Sequence, residues 1–285
     1  MKLGLCLSGG GTKAFAHIGA LKAFEEANIK FDYLAGTSSG SIVATLYAIG
    51  YTSDEIYDIF KEHVNQINYV DFKNFLRVIK NFCKTGKIKI DGLNSGEKIY
   101  KLMKKFCTDK GISDISQIDK PLLIPAVNIC NEDLYVFYSK KNTIKMYPSN
   151  IRYVGKADIA AVVQASCSYP GIFSPCSKIH NLLLIDGGIE ENIPWREVKR
   201  VGADKVLSIV FTNTQAQKCC SSIIEILTKS FNILCHELSR YEWDGSDYLL
   251  EIKHNNSGLL NKKDSKTLYY EGYNQTKKFI RENLK

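Results

Sequence analysis

Three short stretches hold residue types that can activate a nucleophile. The first is "GTSSG", residues 36–40, which fits G-x-S-x-G with Ser38 in the central place. In a nucleophile elbow the serine sits on a sharp strand-to-helix turn, and glycines two residues either side, here Gly36 and Gly40, leave room for the strained backbone. Ser39 and Ser41 compete for the role, but neither has glycine on both sides at that spacing. The five residues by themselves also read as a helix cap, so both readings stand at this point.

The second stretch is "SGGGTKA", residues 8–14. The unencumbered N–H groups of Gly9, Gly10 and Gly11 can form an oxyanion hole, where one donor is worth about 10² to 10³ in rate. They can equally cradle a phosphate. Gly9-x-Gly11-x-x-Ala14 also satisfies the dinucleotide fingerprint, with Asp32 about twenty residues on. A ribose-binding acid should end the second strand, whereas Asp32 precedes the strand "YLAG", which counts against that reading.

The third stretch is "NLLLIDGG", residues 181–188, which puts Asp186 at the end of an apolar strand, with Gly187 and Gly188 permitting close backbone approach. It reads either as a turn with an Asp cap or as the place of a general base for Ser38. A carboxylate is normally too weak a base for a hydroxyl, so the second role requires a poorly solvated site that strengthens the hydrogen bond to it. A histidine base is the alternative. In the usual α/β-hydrolase order the histidine comes last, which offers His236 and His254. His236 lies inside the helical run "FNILCHELSR" and His254 in the polar turn "KHNNSG" near a strand end, so neither is well placed. His17 reads as packed beside the glycine loop, and His63 and His180 have no identifiable partner.

Such groups need a frame to hold them. Residues 2–7 form a strand ended by the glycine loop, and a helix follows from about residue 14 to 27 with Ile18, Leu21 and Phe24 on one side. "FDYLAG" is a second strand, and "SGSIVATLYAIG" a helix stopped at Gly50. Thr52 to Glu55 has capping-box spacing for another helix. Past Pro121 come the strands "LLIPAVNI" and "LYVFYS", the helix "KADIAAVVQASC", the strand into "DGG", and the strand "DKVLSIVFT". Helices from Ser222 to about Glu242 and from Ser265 onward complete the chain. Strands alternating with helices predict an α/β fold, three layers around a mainly parallel sheet. The whole of residues 1–285 reads as one domain, since no repeat or low-complexity linker interrupts it.

Composition narrows the classes. A hydrophobic fraction of 45% with 24% charged residues suits a soluble globular protein. No stretch approaches the roughly 18 apolar residues of a membrane span. The start "MKLGLCLSGGG" reads as a strand rather than a leader, and the nine scattered cysteines, with Cys219 and Cys220 adjacent but unmatched by a second pair, read as free thiols. Together these features predict a cytoplasmic protein. The net charge of +8 resides in one segment, because eleven Lys or Arg face three acids between Lys73 and Lys110. If residues 72–84 are helical, Lys73, Arg77, Lys80 and Lys84 form a stripe opposite Phe75, Val78, Ile79 and Phe82. "NSGEKIYKLMKKFC" repeats that character. These are either the solvated outer faces of packed helices, or a lid or peripheral attachment to an anionic lipid surface.

Taken in order, the three stretches resemble the patatin-like phospholipase family. The block from Leu3 to Ile56 is similar throughout, as are "QASCSYPGIFSP" and "LLLIDGGIEENIPWREVKRVGADKVLSIVF", and together they cover roughly a third of the chain. The resemblance implies a three-layer α/β/α fold and hydrolysis of lipid acyl esters by a Ser-Asp dyad without metal or other cofactor. Carried over by position, Ser38 is the nucleophile, Asp186 the base, and Gly9, Gly10 and Gly11 the oxyanion loop. Lys13 stands where the family often has Arg or Lys, while Ala14 replaces its usual glycine. The implied partner is a lipid or phospholipid substrate, with no nucleic acid, and residues 60–120 are expected to form a basic helical lid or insertion that sets specificity. A catalytically silent lipid-binding protein of the same fold is the other expectation, and the presence of Ser38 and Asp186 weighs against it.

Overall fold

Alternation along three neighbouring strands shows how the layers arise. Leu5 and Leu7 enter one apolar cluster and Cys6 another; Leu34 enters the first, with Tyr33 and Ala35 in the second; Leu207, Ile209 and Phe211 enter the first, with Val206 and Val210 in the second. Successive side chains on a strand point to opposite faces, so a sheet with both faces apolar must be covered on both sides. The computed structural model describes residues 1–63, 92–139, 149–213, 223–254 and 265–284.

The strands are β1 (Leu3–Leu7), β2 (Tyr33–Gly36), β3 (Leu122–Asn128), β4 (Leu134–Tyr138), β5 (Ile151–Val154), β6 (Leu184–Asp186), β7 (Lys205–Asn213) and β8 (Tyr248–His254). The helices are α1 (Ala14–Glu26), α2 (Ser39–Ala48), α3 (Ser53–His63), α4 (Glu97–Asp109), α5 (Ile159–Ser166), α6 (Trp195–Arg200), α7 (Ile223–Trp243) and α8 (Ser265–Asn283). The sheet order is β5-β4-β3-β2-β1-β7-β8, with β6 pairing β3. It is mainly parallel; β3 runs antiparallel to β4 and to β6. Residues of α1, α2, α4, α5 and α8 build the larger apolar cluster, and α6 with Trp243 at the end of α7 covers the other face. This is the three-layer α/β/α arrangement expected.

Most element ends fall where local chemistry puts them. The capping box forms, since Thr52 N–H donates to Glu55 Oε2 at 2.7 Å and Glu55 N–H to Thr52 Oγ1 at 3.3 Å. Two elements were not anticipated, β5 and the six-residue α6. The expected basic stripe at 72–84 and the adjacent Cys219 and Cys220 lie outside the described residues. Its sequel does form a helix: α4 turns Ile99, Met103 and Phe106 inward, all buried, and leaves Lys101, Lys104 and Lys105 exposed. No helix among the described residues is long and apolar enough to cross a membrane.

Candidate active site

One strand edge brings the two ends of the site together. On one side β3 pairs with β4 over Leu123 to Val127, so its other edge is shared by two strands. Parallel β2 takes the lower part, with Leu34 opposite Leu122 and Ala35 opposite Leu123, and antiparallel β6 takes the upper part, with Asp186 opposite Ala126. β2 runs up this edge and β6 runs down it. Their C-terminal ends therefore meet head to head, and Ser38, two residues past β2, and Asp186, the last residue of β6, share the gap.

Ser38 is held in a conformation that few side chains adopt, φ 52° and ψ −127°. A non-glycine residue there costs on the order of 1–3 kcal/mol and persists only where its surroundings impose it. The restraints are visible on both sides. Ser38 N–H donates to Ser166 Oγ at 3.0 Å, and its carbonyl accepts from Ser41 Oγ at 2.6 Å and Ser41 N–H at 2.9 Å. Gly36 and Gly40 serve close approach between strand and helix: a Cβ on Gly36 would lie 2.4 Å from Gly40 O, and one on Gly40 would lie 2.3 Å from Leu7 O. Ser38 thus precedes α2 without capping it, since its side chain makes no cap hydrogen bond.

Asp186 is only 2% exposed. Its N–H donates to Ser168 O at 3.1 Å, and its Oδ1 accepts from Gly188 N–H at 2.8 Å. Oδ2 is buried and has no hydrogen bond of good geometry. Burial pushes the carboxyl up to about 7, while the neighbouring Ser38 hydroxyl and the Gly188 N–H act to lower it. The interaction with Ser38 is thus close enough to influence ionisation, yet Oδ2 keeps a free lone pair. This is the poorly solvated carboxylate that a general base of this type requires. Gly187 is needed because a Cβ there would lie 2.4 Å from Pro125 O on β3.

The glycine loop lies beside the pair. Gly9 N–H donates to Asn192 Oδ1 at 2.8 Å. The N–H groups of Gly10 and Gly11 donate to no protein acceptor among the described residues, so two of the three expected donors are open. Lys13 follows with its Nζ 5.8 Å from the Phe211 ring centroid. No carboxylate among the described residues pairs with it, and burial pushes its ammonium down to about 8. Ser38, Asp186, the glycine loop and Lys13 all line one cavity of about 620 Å³. Its walls are largely apolar, with Ile42 and Leu46 of α2, Phe60 of α3, Met103 and Phe106 of α4, and Phe173.

The alternatives separate on geometry. His17 Nε2 donates to Ser8 O at 2.8 Å and burial pushes the ring down to about 4, so it is a neutral packing residue under the loop. His254 ends β8, buried with its ring centroid 6.4 Å from that of Phe211. His236 is exposed on α7 at the cavity rim, beside Glu237, and His63 lines the wall near Phe106. The titratable group that the Ser38 hydroxyl influences is Asp186. Asp32 accepts from Leu3 N–H at 2.8 Å, at the opposite end of β1 from the glycine loop, where no ribose bound at that loop could reach it. Four partners escaped the reading of the sequence: Ser166 and Ser168, which hold Ser38 and Asp186; Thr37, whose hydroxyl donates to Glu191 O at 3.1 Å; and Asn192. The first two sit in "QASCSYPG", a run whose only visible signal was its likeness to a family block.

Comparison with known proteins identifies a family for the chain. A family model described as patatin-like phospholipase matches residues 5–199. Among curated proteins, the lysophospholipase NTE1 of Meyerozyma guilliermondii is 25% identical over 207 residues, covering 73% of this chain but 12% of that protein. The uncharacterized protein YqhO of Bacillus subtilis is 29% identical over 191 residues, covering 66% of this chain and 63% of that one. Among solved structures, VipD from Legionella pneumophila is similar in fold with a TM-score of 0.51 at 14% identity, covering 99% of this chain and 67% of that chain. ExoU of Pseudomonas aeruginosa, in its complex with SpcU, gives a TM-score of 0.51 at 15% identity, covering 99% of this chain and 51% of that chain. With its strained serine and buried aspartate on converging strand ends, and a family model matched over most of its length, the chain belongs to the patatin-like phospholipase family.

Proposed function

We propose that this protein is a serine lipid acyl hydrolase, of phospholipase A or lysophospholipase type, that works through a Ser38-Asp186 dyad. The observation that carries the proposal is the juxtaposition of a strained serine with a buried, proton-accepting carboxylate on the wall of a large apolar cavity. Asp186 Oδ2 accepts the Ser38 proton as Oγ attacks the ester carbonyl carbon. The N–H groups of Gly10 and Gly11 receive the oxyanion, and Lys13 adds positive potential nearby. Collapse breaks the carbon–oxygen bond, and Asp186 returns the proton to the departing alcohol. Water, deprotonated by the same carboxylate, then attacks the acyl-enzyme, and Asp186 passes that proton to Ser38 Oγ as the fatty acid leaves. The apolar walls suit the acyl chain, and the relatives named lysophospholipase support single-chain lipids among the substrates. Residues 1–285 are read as one domain carrying residues 60–120 as a basic insertion, in a cytoplasmic protein that touches lipid surfaces peripherally.

The test pairs wild type with Ser38→Ala on short acyl esters and a phospholipid and lysophospholipid panel, with labelling by a fluorophosphonate probe. Wild type should turn over and be labelled at Ser38; the variant should do neither while keeping its thermal midpoint. Activity retained by Ser38→Ala would overturn the dyad. A folded wild type that neither reacts nor turns over would mark a silent lipid-binding protein.

A further inference from the structure

The glycine loop needs something to hold it, because glycine has the most backbone freedom to lose and the open donors at Gly10 and Gly11 are useful only if already aimed. Its ends are fixed by backbone contacts: Ser8 N–H donates to Ile209 O at 3.2 Å and Lys13 N–H to Gly10 O at 3.3 Å. His17 Nε2 donates to Ser8 O at the start of the loop, and the Asn192 carboxamide accepts from Gly9 N–H at 2.8 Å, next to the two open donors. The fit is tight, since a Cβ on Gly9 would lie 2.9 Å from Asn192 Oδ1 and 3.0 Å from Ser38 Cβ.

The other end of the same amide is also committed. Asn192 Nδ2 donates to Ser239 Oγ at 3.0 Å, and the Ser239 hydroxyl donates to Cys235 O at 2.7 Å one turn back along α7. Ser239 is 4% exposed. One residue on, Ile193 N–H donates to Glu242 Oε2 at 3.2 Å, so α7 grips both the Asn192 side chain and the peptide after it. Donor and acceptor ends of the amide are thereby both assigned, and a chain of hydrogen bonds runs from α7 through Asn192 to the loop beside the nucleophile.

We propose that Asn192 is a positioning residue for the oxyanion loop, clamping Gly9 so that the next two N–H groups face the ester, and that Ser239 of α7 holds the clamp. This rests on the acyl hydrolase reading given above. Asn192 touches neither the breaking bond nor the proton in transit. Its loss therefore weakens the transition state while leaving ground-state binding of a small ester nearly unchanged.

The experiment measures kcat and KM on a soluble short-chain p-nitrophenyl ester, with thermal midpoints, for wild type, Ser38→Ala, Asn192→Ala, Ser239→Ala and the double variant. Asn192→Ala should lose about ten- to a hundredfold in kcat, the scale of a small misplacement of catalytic groups. KM should stay within about twofold, as expected when an interaction made only in the transition state is removed. Ser239→Ala should lose less, and the double variant no more than Asn192→Ala, because both act through one chain. Wild-type kcat in Asn192→Ala, or additive losses in the double variant, would overturn the proposal. Should Asn192→Ala fail to fold, Ser239→Ala decides alone, and an unchanged kcat there overturns it. Equal rates for wild type and Ser38→Ala would instead sink the dyad and this inference with it.

Discussion

At the scale of single residues, the proposed chemistry turns on how Asp186 is solvated. Burial pushes its carboxyl up to about 7, and a base must be ionised to work. The rate on a soluble ester should therefore rise with pH through a midpoint near 7, and a profile flat from pH 5 to 9 would argue against this carboxylate as the base. Stability runs the other way. The folded state holds a proton that the unfolded chain gives up near 3.8, so this group's contribution falls as pH rises from about 4 to about 7 and is level above that. Asp186→Asn keeps the shape and removes the buried charge. It should abolish turnover yet gain up to a few kcal/mol over wild type at pH 8, with little gain at pH 4, as read by urea unfolding. Ser38 and Asp186 were legible in the sequence because their glycines form a pattern. Ser166 and Asn192 were not, because each acts through a side chain bonded to groups far along the chain, and a single polar side chain carries no period; Ser168 acts through its backbone carbonyl, which any residue supplies.

At the scale of elements, the close approach of β1 and α2 makes the elbow. Gly40→Ala would press a Cβ to 2.3 Å from Leu7 O and 2.7 Å from Ser8 O. A shift of the loop or the helix must follow, at a cost of about 1–3 kcal/mol, visible as a lower urea midpoint. α4 offers a different lever. Its Met103 is 2% exposed yet lines the cavity, so Met103→Trp should fill acyl space. The longest accepted acyl chain should lose about tenfold or more in kcat/KM against a short one, since a single methylene in an apolar pocket is worth about 1–3 kcal/mol. An unchanged chain-length profile would remove α4 from the acyl wall. β1, β2, β3 and β7 were readable as apolar runs between turn signals. β5 was not: only its four residues Ile151–Val154 pair, at an edge, with Arg152 exposed and paired to Asp133 at 2.9 Å. The six residues of α6 are likewise too few for a helical period to show.

For the whole molecule, the excess of cations over acids is the relevant quantity. The net charge of +8 is concentrated between Lys73 and Lys110, and α4 displays part of it as exposed lysines. Association with vesicles containing anionic phospholipid should exceed that with zwitterionic vesicles at low salt. The difference should fade toward about 0.5 M salt, where the Debye length falls well below 10 Å. Equal binding to both at low salt would leave the basic segment as a solvated face. The alternation of strands and helices was enough to anticipate the three layers. It could not show that β6 reverses direction, because three paired residues carry no mark of their orientation. That reversal has a consequence for synthesis. A polypeptide emerging from the ribosome holds Ser38 early, but the neighbouring slot on β3 stays empty until the segment ending at Asp186 has been made and docked. On the proposed dyad, a chain cut before Asp186 should therefore lack ester turnover even where Ser38 and its elbow are already folded.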